Sequence, residues 1–228
     1  MNAKGKFITL EGIDGSGKTT CINKLHCYLS DKGIPHITTE CAKGTPFSKD
    51  IVNLLIEHEE SQSVSSSVAA LIFMAAAKQT YDKVIKPAID NGLWVICDRF
   101  VDSTLVYHGF AENNPEFIEC FSLLKEFTFK NIAPDLTFIL DCPVLITEDR
   151  LKKRDNLNVY DKKDFNYKNN MRQGYLQIAT HEKQRCVIIN ANQEQNAVVQ
   201  DISNCIIKRF YDIPHNNFIH SGDCKCHL

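Results

Sequence analysis

The sequence predicts an α/β protein: a three-layer α/β/α fold around a five-stranded, mainly parallel sheet. Three observations carry this. Short apolar runs alternate along the chain with stretches whose apolar residues recur at helical spacing. Two of the runs, LWVIC (93–97) and LTFIL (136–140), lack polar alternation, as expected of strands covered on both faces. The first run feeds a glycine-rich loop, and the other two end on Asp98 and Asp141, so reactive groups collect at one sheet edge.

The elements follow in order. KFITL (6–10) is the first strand. Ile22, Leu25 and Leu29 share one face of the first helix, and Gly33 stops it. HITTE (36–40) is the second strand, and Phe47, Ile51, Leu54 and Leu55 repeat at helical spacing after it. Val68, Leu71, Ile72, Ala75 and Ala76 open a long helix running to about Ile89, with Pro87 placed to kink or end it. After LWVIC, residues Phe117, Phe121, Leu124 and Phe127 mark another helix. LTFIL leads to a helix over 144–153. The polar, aperiodic stretch Arg154 to Lys163 reads as a mobile loop. Tyr167, Met171, Tyr175 and Ile178 mark the next helix, CVIIN (186–190) the fifth strand, and Val198, Ile202, Cys205 and Ile206 the last helix.

Bulk properties narrow the function classes. A chain of 228 residues reads as one domain, here 1–213, with a detachable tail at 214–228. The net charge of −2 gives no global field to attract nucleic acid. No apolar run reaches the ~18 residues of a membrane span, and MNAKGKFITLEG lacks a signal-peptide core, so a cytoplasmic location is expected. The ten cysteines read as reduced thiols, because Cys97, Cys186 and Cys205 sit among apolar neighbours. Cys224, Cys226 and His227 have the chemistry of a soft-metal site, with a plain chain terminus as the simpler reading.

Gly-Ile-Asp-Gly-Ser-Gly-Lys-Thr (12–19) is a phosphate-binding P-loop, since a strand precedes it and a helix follows. Gly12, Gly15 and Gly17 let the backbone N–H groups of Ile13, Ser16 and their neighbours approach phosphate oxygens. Lys18 supplies the charge for the transferred phosphoryl group, and Thr19 a hydroxyl for Mg²⁺; Thr20 continues into the helix, whose N-terminus adds partial positive charge. ATP is thus the expected phosphate donor. Asp14 is unusual, because an acid inside an anion-binding loop repels phosphate; holding Mg²⁺ through water or a sugar hydroxyl would explain it better than a turn.

At the sheet edge one aspartate should lie near the metal, with Asp98 the better candidate and Asp141 open to a helix-capping role. Arg99, next to Asp98, suits bidentate capture of a second phosphate, and Ser103 and Tyr107 follow it. Arg150, Lys152, Lys153 and Arg154 form either a solvated face or a lid over about 150–163 that brings an arginine to the transferred phosphoryl group. Arg172 is a further candidate.

These motifs together resemble the thymidylate kinases from about Lys6 to Ile207. The residues that carry the resemblance are FITLEGIDGSGKTT (7–20), LIFMAAAKQTYDKVIKPAI (71–89), VICDRFVDSTLVYHG (95–109), PDLTFILD (134–141) and MRQGYLQIA (171–179). The resemblance implies a P-loop nucleoside monophosphate kinase fold with a short lid. It also implies transfer of the ATP γ-phosphate to dTMP with Mg²⁺, and a homodimer through the Ala-rich helix near 69–77. By position, Asp14 would face the dTMP sugar, Arg99 would bind its phosphate, Phe73 would stack on thymine, and Ser103 and Tyr107 would complete the wall. From spacing alone, Phe73 reads as core. Gly15, where some members carry an arginine, resembles the bacterial type.

The chain departs from the family pattern at four places. Thr39 stands for an arginine, Ala77 for the arginine at the thymine edge, His108 for a glutamine, and Val159 for a lid arginine. Lys78, beside Ala77, is turned about 100° away on a helix. Lys43 and Arg154 are the expected substitutes for the missing charges. Two other readings stay open: a kinase for a different nucleotide or nucleoside, and a P-loop ATPase or switch. Asp98–Arg99 suits a phosphorylated acceptor better than water.

Overall fold

The structure is a computed structural model that describes residues 4–60, 63–130, 132–154 and 157–211. The tail read at 214–228, with Cys224, Cys226 and His227, lies outside the described residues.

Among the described residues, β1 (Phe7–Glu11), β2 (His36–Glu40), β3 (Trp94–Asp98), β4 (Leu136–Asp141) and β5 (Cys186–Asn190) form one parallel sheet in the order β2-β3-β1-β4-β5. Parallel pairing requires crossovers, and helices supply them on both faces. β1 shows why the sheet is covered twice. Ile8 and Leu10 pack on one side with α1 (Lys18–Asp31) and α9 (Gln195–Phe210). Phe7 turns to the other side, against α3 (Ser66–Thr80) and α6 (Pro115–Phe129). A third cluster joins β4 to α8 (Phe165–His181) through Ile139, Met171, Tyr175 and Ile178. The remaining helices are α2 (Pro46–Glu60), α4 (Lys86–Asp90), α5 (Val101–Leu105) and α7 (Val144–Leu151).

All five strands fall where the apolar runs place them. The long helix is interrupted: α3 passes into a π-helical turn, Tyr81–Ile85, before α4. Pro87 sits in the first turn of α4, where its missing N–H leaves no vacancy in the ladder. Leu54 and Phe47 of α2 face outward, 56% and 57% exposed, whereas Val52 and Leu55 are buried. The helical run α5 and Val106–Phe110 was not expected, because VDSTLVYHGF has no clean apolar period. The chain leaves the central strand β1 towards β2 and leaves β4 towards β5, so a crevice opens at the C-terminal edge, where the ends of β1, β2 and β3 build the site.

Candidate active site

The site is built first from the loop between β1 and α1. Gly15 and Gly17 adopt φ of 80° and 102°, which side-chain-bearing residues rarely reach. A methyl group on Gly15 would stand 2.7 Å from the Thr147 carbonyl oxygen, so that glycine is fixed by packing. A methyl on Gly17 would meet nothing within 4 Å; it would project into open space at the start of α1. α1 has no acid in its first turn, which leaves its N-terminus positive. The loop is therefore a cradle shaped for an anion. Lys18 is buried and folds back, donating to the carbonyl oxygens of Gly12 and Ile13 at 3.0 and 3.1 Å. Burial, with help from the Arg99 charge, lowers the Lys18 ammonium to about 8.

Arg99 joins the loop to the opposite wall. It sits just beyond β3 with φ 65°, a left-handed conformation for a residue with a side chain. Its guanidinium donates to the Gly12 carbonyl (3.0 Å), Ser103 Oγ (3.1 Å), Tyr175 Oη (2.9 Å) and Asp14 Oδ1 (2.6 Å). The Tyr107 hydroxyl donates to Asp14 Oδ2 at 2.6 Å. Asp14 thus resolves its apparent misfit. Burial alone would raise its carboxyl, but Arg99, Lys18 and the Tyr107 hydrogen bond hold it well below the usual carboxylate range. Beneath these lies Glu11, fully buried, which accepts from the Phe100 N–H and the Ser103 hydroxyl, both at 2.7 Å. Burial and the nearby Asp102 charge push Glu11 up to about 7. Asp102 is held by a bidentate pair from Arg185 at 2.7 and 2.9 Å.

The fit to Mg²⁺ rests on Asp98. Its Oδ1 is buried with no hydrogen-bond partner among the described residues, and its Oδ2 accepts from Thr19 Oγ1 at 3.4 Å. An unpartnered carboxylate oxygen beside a P-loop threonine is the donor set a hard cation needs. Asp141 is spoken for by Arg172, bidentate at 2.6 and 2.8 Å. Neither residue of that pair lines the cavity described below.

A cavity of about 290 Å³ runs along this edge. Asp14, Gly15, Gly17, Lys18, Thr19, Asp98 and Arg99 line its floor, and Phe73, Ser103, Tyr107 and His108 line its far wall. Gly12, Ile13, Ser16 and Thr20 support the loop without lining the cavity. Phe73 is partly buried between His108 and Tyr160, with ring centroids 5.9 and 6.2 Å away, and so is not the plain core residue its spacing alone suggests. Ala77 contributes only a methyl group to the cavity lining, and Lys78 is paired with Asp82.

The basic cluster at the lid divides. Arg154 and Lys43 line the cavity. Lys152 is exposed and paired with Asp149. Arg150 does not line the cavity: it donates to Gly15 O (3.3 Å), Ser16 O (3.5 Å) and Ala191 O (3.1 Å), tying the loop to the end of β5. Sequence reasoning missed Glu11, Tyr175, Asp102 and Arg185 as members of the site, and read Arg150 only as part of the basic cluster at the lid. Glu11 alone carried a signal, as an acid at the end of an apolar strand beside the loop.

Residues 10–202 match the family model described as thymidylate kinase. This chain belongs to the thymidylate kinase family. Curated thymidylate kinases agree over most of its length. That of Marinomonas sp. (strain MWYL1) is 34% identical, covering 97% of this chain and all of the relative. That of Carboxydothermus hydrogenoformans is 37% identical over 81% of this chain and 89% of the relative. That of Protochlamydia amoebophila is 36% identical over 86% and 90%. The five-stranded parallel sheet with helices on both faces is the P-loop kinase fold of this family. No described helix is long and apolar enough to cross a membrane.

Proposed function

We propose that the chain transfers the γ-phosphoryl group of ATP to dTMP, giving dTDP and ADP, with its cavity divided between donor and acceptor. The observation that carries the division is the Asp14–Arg99 pair. It separates the phosphate cradle at Gly15–Thr19 from the aromatic wall of Phe73 and Tyr107. On the donor side, the loop N–H groups and the α1 terminus hold the triphosphate, and Lys18 turns from its own carbonyls to the γ-phosphoryl oxygens. Thr19 and Asp98 would hold Mg²⁺, which would supply neutralisation of the phosphate charge. On the acceptor side, Arg99 binds the dTMP phosphate, Asp14 faces the sugar, Phe73 stacks on thymine, and Ser103 and Tyr107 fix these groups. Transfer then rests on positioning and charge stabilisation. Residues 1–213 act as one unit, and the stretch at about 150–163 closes as the lid. Arg154 and Lys43 supply the charge that Val159 and Thr39 do not.

The outward apolar faces Phe47–Leu54 of α2 and Val68–Leu71 of α3 favour a homodimer through these helices. Four variants test the site. Lys18→Ala should abolish turnover with the melting temperature kept; near-normal activity would defeat the P-loop role. Phe73→Ala should raise KM for dTMP by roughly tenfold through lost stacking. If Lys43→Ala and Arg154→Ala both leave kcat/KM for dTMP unchanged, neither supplies the missing charge.

A further inference from the structure

The imidazoles of His26 and His36 meet at the end of the sheet opposite the cavity. His36 opens β2, whereas Glu40 at the other end of that strand lines the cavity. His26 lies in the second half of α1. His36 Nε2 is 2.9 Å from His26 Nδ1, and the ring centroids are 4.8 Å apart. Solvent reaches the pair, because His26 is exposed and His36 only partly buried. Neither residue takes part in the phosphoryl transfer proposed above.

Proton counting fixes what the pair offers. His36 Nδ1 is 2.8 Å from the Ile34 carbonyl oxygen, which can only accept, so the proton of the neutral ring sits on Nδ1. Nε2 then presents a lone pair, and His26 Nδ1–H donates to it. A metal-ligating histidine is commonly set in this way, one ring N–H on a backbone carbonyl and a lone pair at the other nitrogen. Two nitrogens 2.9 Å apart need open by only about half an ångström to share one tetrahedral ion at ~2.0–2.1 Å from each.

Two imidazoles are half of such a site, and among the described residues no group of three or more candidate ligands exists. The sequence beyond Tyr211 holds the other half. Phe210 and Tyr211 pack on Trp94, with ring centroids at 5.2 and 5.9 Å, and Trp94 is the register partner of His36 on β3. The chain therefore passes Tyr211 about one strand spacing, ~5 Å, from the strand that carries His36. Cys224, Cys226 and His227 follow after about a dozen residues, enough to span up to ~40 Å. Any two donors from that tract include a thiolate.

We propose that His26, His36 and two of Cys224, Cys226 and His227 form a tetrahedral site for Zn²⁺, which fastens residues 224–227 to the base of the sheet. Each thiol that binds releases its proton to water. The imidazoles release none, since His26 only moves its proton from Nδ1 to Nε2.

The test titrates the full chain, its thiols kept reduced by a phosphine, with Co²⁺ and then Zn²⁺. Excess Mg²⁺ occupies the Thr19–Asp98 position. One Co²⁺ per chain should bind with the visible bands of a tetrahedral ion and a thiolate-to-metal charge-transfer band, and Zn²⁺ should bleach both and raise the melting temperature. His26→Asn and His36→Asn should each weaken binding by roughly a hundredfold. The Cys224→Ser/Cys226→Ser double variant should lose the charge-transfer band and weaken binding at least as far. ADP release with dTMP should be unchanged in all of them. Full affinity in the His26→Asn/His36→Asn double variant places the ion on residues 224–227 alone and overturns the site. Binding without a charge-transfer band leaves the imidazoles without those residues, and absence of stoichiometric binding removes the ion; either result overturns it too.

Discussion

Replacing Arg99 separates its structural and acceptor roles. Arg99→Ala deletes four hydrogen bonds and leaves Asp14, a partly buried carboxylate, with Tyr107 and a more distant Lys18 at 3.9 Å. Breaking a fully buried ion pair costs about 3–5 kcal/mol. Here the Arg99 and Asp14 side chains are 21% and 26% exposed, so water returns part of that. We expect a loss of about 2 kcal/mol, or about 4–8 °C in melting temperature for a chain of this size. Both Arg and Ala must hold φ near 65° at this position, which costs about 1 kcal/mol relative to glycine. Arg99→Gly should therefore melt about 2 °C above Arg99→Ala. Both variants lose the same acceptor contact. Their kcat/KM for dTMP should fall by about 10²-fold, the equivalent of about 3 kcal/mol, while the ATP dissociation constant changes by less than about threefold. Calorimetric melting and steady-state rates with each substrate varied provide the readout. The reasoning is refuted if ATP affinity falls as far as dTMP use, or if Arg99→Gly recovers dTMP turnover.

Other outcomes follow from the same network. Lys18 titrates near 8 in the free protein, and a bound triphosphate raises it, so ATP binding should take up protons above about pH 8 and ATP affinity should decline as pH rises through that value. Calorimetric titration in two buffers of different ionisation enthalpy reads the uptake, which Lys18→Met should remove. Glu11 binds its proton more tightly folded than unfolded, so stability should fall as pH rises from 4.5 to about 7. Glu11→Gln keeps an acceptor oxygen for the Phe100 N–H and turns the Ser103 contact round, its amide N–H donating to Ser103 Oγ, and should flatten that slope in melting temperature against pH; an unchanged slope means Glu11 is not its source. Leu71→Glu, on the exposed face of α3, should shift the sedimentation coefficient from dimer to monomer, and a wild-type protein that already sediments as a monomer contradicts the interface.

The three inner strands were legible because they are buried on both faces, which writes them as unbroken apolar runs, LTFIL most plainly; the edge strand CVIIN keeps such a run although its Ile188 is 48% exposed. The loop was legible because phosphate binding constrains consecutive residues. What stayed hidden depends on residues far apart in sequence. Nothing local marks Tyr175 as a partner of Arg99, or Arg185 as the support of Asp102 across β4. The helical run after Arg99 was missed because its side chains serve the cavity as well as the core, which erases the apolar period. Arg150 and Arg154 look alike in sequence, yet four residues along a terminating helix send one to the loop carbonyls and the other to the cavity. Val159 and Thr39 advertised missing charges, but only the folded chain brings Lys43 and Arg154 to the same cavity.

The most direct test of dTMP as acceptor is ADP release by the wild-type protein, with ATP and Mg²⁺ fixed and the acceptor varied among dTMP, dUMP, dCMP, other monophosphates and free nucleosides. Release should depend on the acceptor, with the highest kcat/KM for dTMP and dTDP formed in equal amount. ADP release without an acceptor, or a clear preference for another one, would contradict it.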